Sequence, residues 1–161
     1  MADWTTPKTD WVAEDYFNAT DYNRIVNNLL FLKDTAEEFF GEMSYVAMAV
    51  GKTYASMIYA REMNAIEDNL EMLNNLTYIL PIGSKMTYEV NGHTPIYTEY
   101  NRIESACLEI YKHLSVTPQM IVHLEFGLGK GYGIKRVKYD HNEIIGYRFS
   151  VHLGQPKGVK L

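Results

Sequence analysis

The sequence predicts an α+β protein: three repeated helices with short hairpin or extended connectors, packed into a small helical core, plus a C-terminal antiparallel β-meander. Three observations predict it. Asp21-Tyr22-Asn23-Arg24-Ile25 returns as Glu62-Met63-Asn64-Ala65-Ile66 and again as Glu99-Tyr100-Asn101-Arg102-Ile103, each reading acidic, large apolar, Asn, any residue, Ile. The Asn-to-Asn steps, from 23 to 64 to 101, fall in the range that marks an array of supersecondary units. From Pro118 onward the apolar period changes from that of a helix to that of a strand. The chain divides accordingly into an extended aromatic arm (1–19), a helical repeat domain (20–115) and a C-terminal β-hairpin or meander region (116–161).

The arm alternates Trp4, Trp11, Tyr16 and Phe17 with Thr5, Thr6, Pro7 and Thr9, a composition that favours extended chain. Both tryptophans fall here and must be buried against the arm's own helices or another subunit, so Trp4 and Trp11 are candidate interaction residues. The first helix is expected to start at Thr20 as N-cap, with Asp21 in the first turn, and to stop at Gly41. The second is expected to start near Ala60–Arg61 and end near Asn74–Asn75. The third is expected to have Thr98 as cap and to end before Pro118.

Each helix carries one apolar stripe: Tyr22, Ile25, Leu29, Leu32 and Ala36; Met63, Ile66, Leu70 and Leu73; Tyr100, Ile103, Cys107, Ile110 and Leu114. A single stripe can be buried only against another element, so the three helices are expected to close on one another. Cys107 lies on that stripe and reads as a core residue rather than a nucleophile. Asn is a poor helix former whose amide suits bonding to a neighbouring backbone. Asn23, Asn64 and Asn101 are therefore read as latches that hold an arm on each helix. Ala65 stands where the flanking repeats have Arg24 and Arg102, so any contact made by that Arg is missing from the middle unit.

The connectors also echo: Met43-Ser44-Tyr45 with Met86-Thr87-Tyr88, and Gly51-Lys52-Thr53 with Gly92-His93-Thr94. β-Favouring residues and the Asn91-Gly92 turn signal make them short hairpins or extended loops. In the C-terminal region Val122, Leu124 and Phe126 alternate with polar residues, residues 134–139 form a second candidate strand, and residues 145–153 a third. Leu128-Gly129-Lys130-Gly131-Tyr132-Gly133-Ile134-Lys135 is echoed by Leu153-Gly154-Gln155-Pro156-Lys157-Gly158-Val159-Lys160.

Catalytic and ligand motifs fail on inspection. Gly51-Lys52-Thr53 resembles a P-loop end, but position 46 is Val where the loop needs Gly. Gly127, Gly129, Gly131 and Gly133 alternate, yet a dinucleotide fingerprint needs Gly where Tyr132 stands. No two of the five histidines have helical i, i+4 spacing, and there is no Gly-x-Ser-x-Gly elbow. No enzyme activity, cofactor or metal is expected.

One cysteine precludes an intrachain disulfide, no segment reads as a signal peptide, and no apolar run reaches the length of a membrane span. Synthesis in a host cytoplasm and no membrane partner are expected. Residues 1–115 carry 8 Lys/Arg against 17 Asp/Glu, and residues 116–161 carry 7 against 3. This acidic balance disfavours nucleic acid. The local basic-aromatic group Tyr132, Lys135, Arg136 and Lys138 supplies further candidate interaction residues, for a subunit contact.

Residues 11–32, with Asp15-Tyr16-Phe17-Asn18-Ala19-Thr20-Asp21-Tyr22-Asn23-Arg24-Ile25, resemble modules in tail and baseplate virion proteins of phages and prophages of Gram-positive bacteria. Residues 64–71, 88–92 and 100–108 carry the likeness on, so that it spans roughly residues 4–115. The resemblance implies a non-enzymatic virion structural protein that assembles with other virion proteins and with itself, and it carries no catalytic residues. The other readings are an accessory protein that binds and inhibits a host factor such as a defence nuclease, its acidic face mimicking nucleic acid, and a carbohydrate-binding domain that stacks sugars on Trp4, Trp11 and the tyrosines.

Overall fold

The computed structural model describes residues 2–127. They form three helices, α1 (Ala19–Phe40), α2 (Ala60–Leu76) and α3 (Tyr97–Gly127), with no strand among the described residues. Each helix packs on the other two. Each is preceded by an extended arm: arm 1 (2–18), arm 2 (41–59) and arm 3 (77–96).

The acidic residue of the repeat explains where the helices begin. It sits at the third helical position, and its carboxylate accepts the backbone N–H of the capping residue: Asn18 to Asp21 at 3.1 Å, Tyr59 to Glu62 at 2.8 Å, Ile96 to Glu99 at 2.8 Å. The first helix therefore has Asn18 as its N-cap, not Thr20, and the Asn18 side chain accepts from Thr20 N at 2.8 Å. The third begins at Tyr97 behind Ile96, so Thr98 lies inside it rather than capping it. A pattern of hydroxyl caps misplaces both starts, because here the reciprocal carboxylate half of the cap is the part that repeats. Gly41 closes α1 at φ 92°, a conformation costly for any residue with a Cβ.

The Ile of each repeat, Ile25, Ile66 and Ile103, is fully buried with Leu29, Leu70 and Cys107 in register. Each aliphatic side chain of this stripe contributes roughly 1.5–3 kcal/mol by leaving water. Burial pushes the Cys107 thiol up, and the Glu104 carboxylate adds to it, which keeps the group a packed thiol.

The Asn of each repeat faces outward from that core and holds an arm. Asn23 donates to Lys52 O and accepts from Lys52 N, both at 2.8 Å. Asn64 clasps Tyr88 in the same two-bond manner at 2.9 and 2.8 Å, and Asn101 clasps Trp11 at 2.9 and 2.8 Å. A primary amide is the one neutral side chain that can satisfy both the donor and the acceptor of an extended residue at once. A second set follows: Asn28 clasps Thr5, Asn69 clasps Val46, and Asn74 clasps Leu80. Arm 1 thus bridges α3 to α1, and arm 2 bridges α1 to α2. The backbone of these arms needs no sheet, because helix side chains take the place of a neighbouring strand.

Of the two forms expected for the connectors, the structure has the extended one, with no hairpin among the described residues. The C-terminal expectation is overturned. The segment after residue 115 is not a strand at Val122, Leu124 and Phe126: α3 runs on to Gly127 across Pro118, and no strand of a β-meander is seen among the described residues. Pro118 forfeits one backbone bond without ending the helix. The apolar stripe of the repeat continues in the sequence at Ile121 and Leu124, seven and ten residues after Leu114, so the helical period was present under the apparent alternation. The proposed strands at 134–139 and 145–153, and the Leu-Gly echo, lie outside the described residues.

Two tests follow from this architecture. Asn101→Ala removes two bonds and orphans both backbone groups of Trp11, so it should cost about 2–6 kcal/mol in a urea titration, from roughly 1–3 kcal/mol per unsatisfied group. Tyr22 is fully buried, and among the described residues its hydroxyl has no hydrogen-bond partner. Burial, then the charge of Glu62, pushes its phenol up to about 12. The folded state therefore holds this proton more tightly than the unfolded chain does. Its stabilising contribution is complete below the ordinary value of 10.0 and is lost as pH rises through about 12. Tyr22→Phe should raise stability by about 1 kcal/mol near neutrality and flatten the loss between pH 10 and 12, read by thermal denaturation at stepped pH.

Candidate interaction surface

After its clasp each arm turns sharply before entering its helix. The turns are closed by Asp15 N to Val12 O at 3.1 Å, Ser56 N to Thr53 O at 2.9 Å and Gly92 N to Glu89 O at 3.0 Å. In the first two, the side chain of the closing residue also accepts from the opening N–H, Asp15 from Val12 at 3.0 Å and Ser56 from Thr53 at 3.1 Å. These turns rim a concavity of about 850 Å³ at the N-terminal ends of all three helices.

Its floor is aromatic and rigid. Phe17 stacks on Tyr100 with centroids 4.2 Å apart, and Trp11 tilts against both at 5.8 and 5.3 Å. Trp11 is fixed from below by Glu104. That carboxylate is fully buried and accepts four bonds: Trp11 Nε1 at 3.0 Å, Lys8 N at 2.8 Å, and Arg24 Nε and Nη2 at 3.0 and 2.7 Å. A buried charge is tolerable only with such a set of partners. Glu67 holds the equivalent place on α2, taking Arg102 Nη2, the Tyr88 hydroxyl at 3.5 Å and the backbone of Met86. Burial raises the Glu67 carboxyl above its usual range against the opposing pull of Arg102.

The rim is apolar and open to water. Val12, Tyr16, Tyr54, Tyr59, Ile96 and Tyr97 line the concavity while exposed, Tyr16 by 89% and Tyr54 by 91%. Met57 and Val90, also exposed, lie in the same arm segments. The other exposed large apolar side chains described, Val46, Val50, Ile79 and Val116, do not line the concavity. Exposed apolar side chains gathered in this way make the concavity the candidate contact surface. No Lys or Arg lines it; apart from tyrosines, its titratable residues are Asp15, Glu89 and His93.

The sequence-derived candidates fall in different places. Trp11 is in the floor and 4% exposed, so its indole is not free to lie on a partner as the arm's composition suggested. Trp4 is absent from the concavity; it is half-buried and stacks on Tyr111 at 4.1 Å. Both tryptophans fasten arm 1 to its own helices. Tyr132, Lys135, Arg136 and Lys138 lie outside the described residues. Asp21, Glu62 and Glu99 serve as caps, Ile25, Ile66 and Ile103 as core, and Asn23, Asn64 and Asn101 as clasps. Of the tyrosines that the sequence offers together, Tyr16, Tyr54, Tyr59 and Tyr97 are the ones exposed on this rim. Their signal was available in one form: they are tyrosines near the helix starts that do not repeat between units, so the repeat does not account for them.

Among the described residues no group of His, Cys, Asp or Glu is placed to hold a metal ion, and no helix is long and apolar enough to cross a membrane. Comparison of the chain with protein-family models, with curated proteins and with solved structures returns no match.

The dependence of the floor on Glu104 can be measured. In a Trp4→Phe background, where Trp11 is the sole indole emitter, Glu104→Gln should cost about 3–5 kcal/mol, the range for breaking one side of a buried pair. The Trp11 emission should shift to the red as water reaches the ring.

Proposed function

We propose that this chain is a non-enzymatic structural component of a phage particle, belonging to its tail or baseplate, and that it works as a rigid module presenting one contact surface. The observation that carries this reading is the separation of roles within the molecule. The residues that recur in the sequence are taken up as caps, clasps and core, while Val12, Ile96 and four exposed tyrosines line one concavity. Chemistry of the acid–base or nucleophilic kind needs polar groups held free for a substrate. Here the buried carboxylates Glu67 and Glu104 are saturated by Arg102, Arg24 and backbone groups, and the lone thiol is sealed in the core. The likeness of residues 4–115 to tail and baseplate modules supports the same reading.

The mimicry of nucleic acid draws less support. Asp21, Glu62, Glu67, Glu99 and Glu104 contribute to the acidic balance of the helical part, but they cap helices or pair with Arg24, Lys52, Arg102 and His93 rather than forming a free face.

The proposal is tested on purified particles. Antibody labelling and mass spectrometry should find the protein at fixed stoichiometry in the tail fraction, and its absence from intact particles would overturn the reading. Val90→Ser with Met57→Ser, at exposed positions, should leave the thermal midpoint within about 0.5 kcal/mol of the parent and lower incorporation if these turns face a neighbour.

A further inference from the structure

We propose that the concavity at the N-terminal ends of the helices is a binding site for a neutral oligosaccharide. This takes the contact surface of the preceding reading and names its ligand; it does not depend on which particle, or which part of one, carries the protein.

Three features of the lining select that class. The first is the supply of ring faces. Tyr16, Tyr54, Tyr59 and Tyr97 line the space while exposed, above a floor already closed by the stacked Phe17 and Tyr100. The C–H face of a pyranose carries slight positive charge and lies well on the negative face of an aromatic ring. A tyrosine also keeps a hydroxyl at its tip for the sugar's own hydroxyls. The second is neutral hydrogen-bonding capacity between the rings, from the exposed Asn91 and Thr94 in arm 3. The third is charge. No Lys or Arg lines the space, and Glu89 puts a carboxylate on it; the carboxylate of Asp15 is neutralised by Lys8 at 2.7 Å. Carboxylates accept from sugar hydroxyls and repel anions, so phosphorylated, sulfated and uronic ligands are disfavoured along with nucleic acid.

The volume, about 850 Å³, is at the upper end of the range of small-ligand sites and suits several sugar units rather than one. A second copy of the chain is the weaker occupant. Two such surfaces placed face to face would bring Glu89 against its own counterpart, with no Lys or Arg in either lining to offset it.

The test uses the full chain in solution. Hexamers of N-acetylglucosamine, glucose (β-1,4 and α-1,4), xylose and mannose are titrated by calorimetry and by amide NMR, with a galacturonic acid hexamer as the anionic control. At least one neutral hexamer should bind saturably, with shifts centred on arm residues 53–59 and 88–97. Tyr16→Ala with Tyr54→Ala should weaken it about tenfold while the thermal midpoint is unchanged, because both side chains are about nine-tenths exposed. The galacturonic acid hexamer should not bind. The proposal is overturned if no neutral hexamer binds at millimolar concentration, if the double variant binds as well as the parent, or if the acidic hexamer binds equally. It is also overturned if the lining proves to be occupied by a second copy, seen as a mass that doubles with protein concentration and reverts in the double variant. None of these outcomes bears on the presence of the protein in particles, which is decided separately.

Discussion

The clasp of Trp11 by Asn101 is the contact on which the rest of the fold depends. Among the described residues arm 1 comes first and α3 last, so this two-bond junction, 90 residues apart in sequence, joins the third unit to the first. Without it arm 1 would be held at Thr5 by Asn28 but not at Trp11, and the start of α3 would lose the arm that covers it. With it, each helix start is overlaid by an arm. Glu104 reinforces the same junction from beneath, holding Trp11, Lys8 and Arg24 on one carboxylate. Closure of this long loop is entropically expensive, and it is met by concentrated polar bonds together with the burial of a large indole.

Departures from the repeat are informative because they come in matched sets. Arg24 on α1 reaches Glu104 on α3, and Arg102 on α3 reaches Glu67 on α2. The third link would run from α2 to α1. There the Arg position is Ala65 and the Glu position is Val26, both buried and both apolar. Cation and anion are lost together, so neither is left uncompensated in the interior, where a single charge would be far costlier than none. A similar trade occurs at Ala106, where the other helices have Asn28 and Asn69. The third arm has no amide to clasp there. Instead Gly83, at φ +80°, lies against Arg102 so closely that a Cβ would come within 2.8 Å of its Cδ.

These constraints place the exposed tyrosines. The arms must turn back after each clasp to enter the next helix, and the turns therefore collect at one end of the helices. Tyr16, Tyr54, Tyr59 and Tyr97 lie on those returning segments, over a floor that Glu104 holds still. The concavity is a consequence of three arms meeting at three helix starts, and its rigidity comes from the same bonds that close the fold.

Local pattern in the sequence was enough to determine the three helices of the described residues, their buried stripes, the end of α1 at Gly41, and the place of Cys107 in the core, because a helix with one apolar face has one way to hide it. It also marked the recurring Asn as a side chain with backbone to bind. It could not say which backbone. The partners of Asn23, Asn64 and Asn101 lie 29, 24 and 90 residues away, and nothing in the spacing of a helix specifies a distant arm. Local reading also erred where two periods fit one segment. The residues after Pro118 satisfy both an alternation and the continuing stripe of α3, and proline argued for the wrong one. The tryptophans were legible as side chains that must be buried, but only the tertiary structure decided that their own helices bury them. The same closure left the tyrosines outside, because the core and the clasps had already taken the places nearer the axis of the three helices.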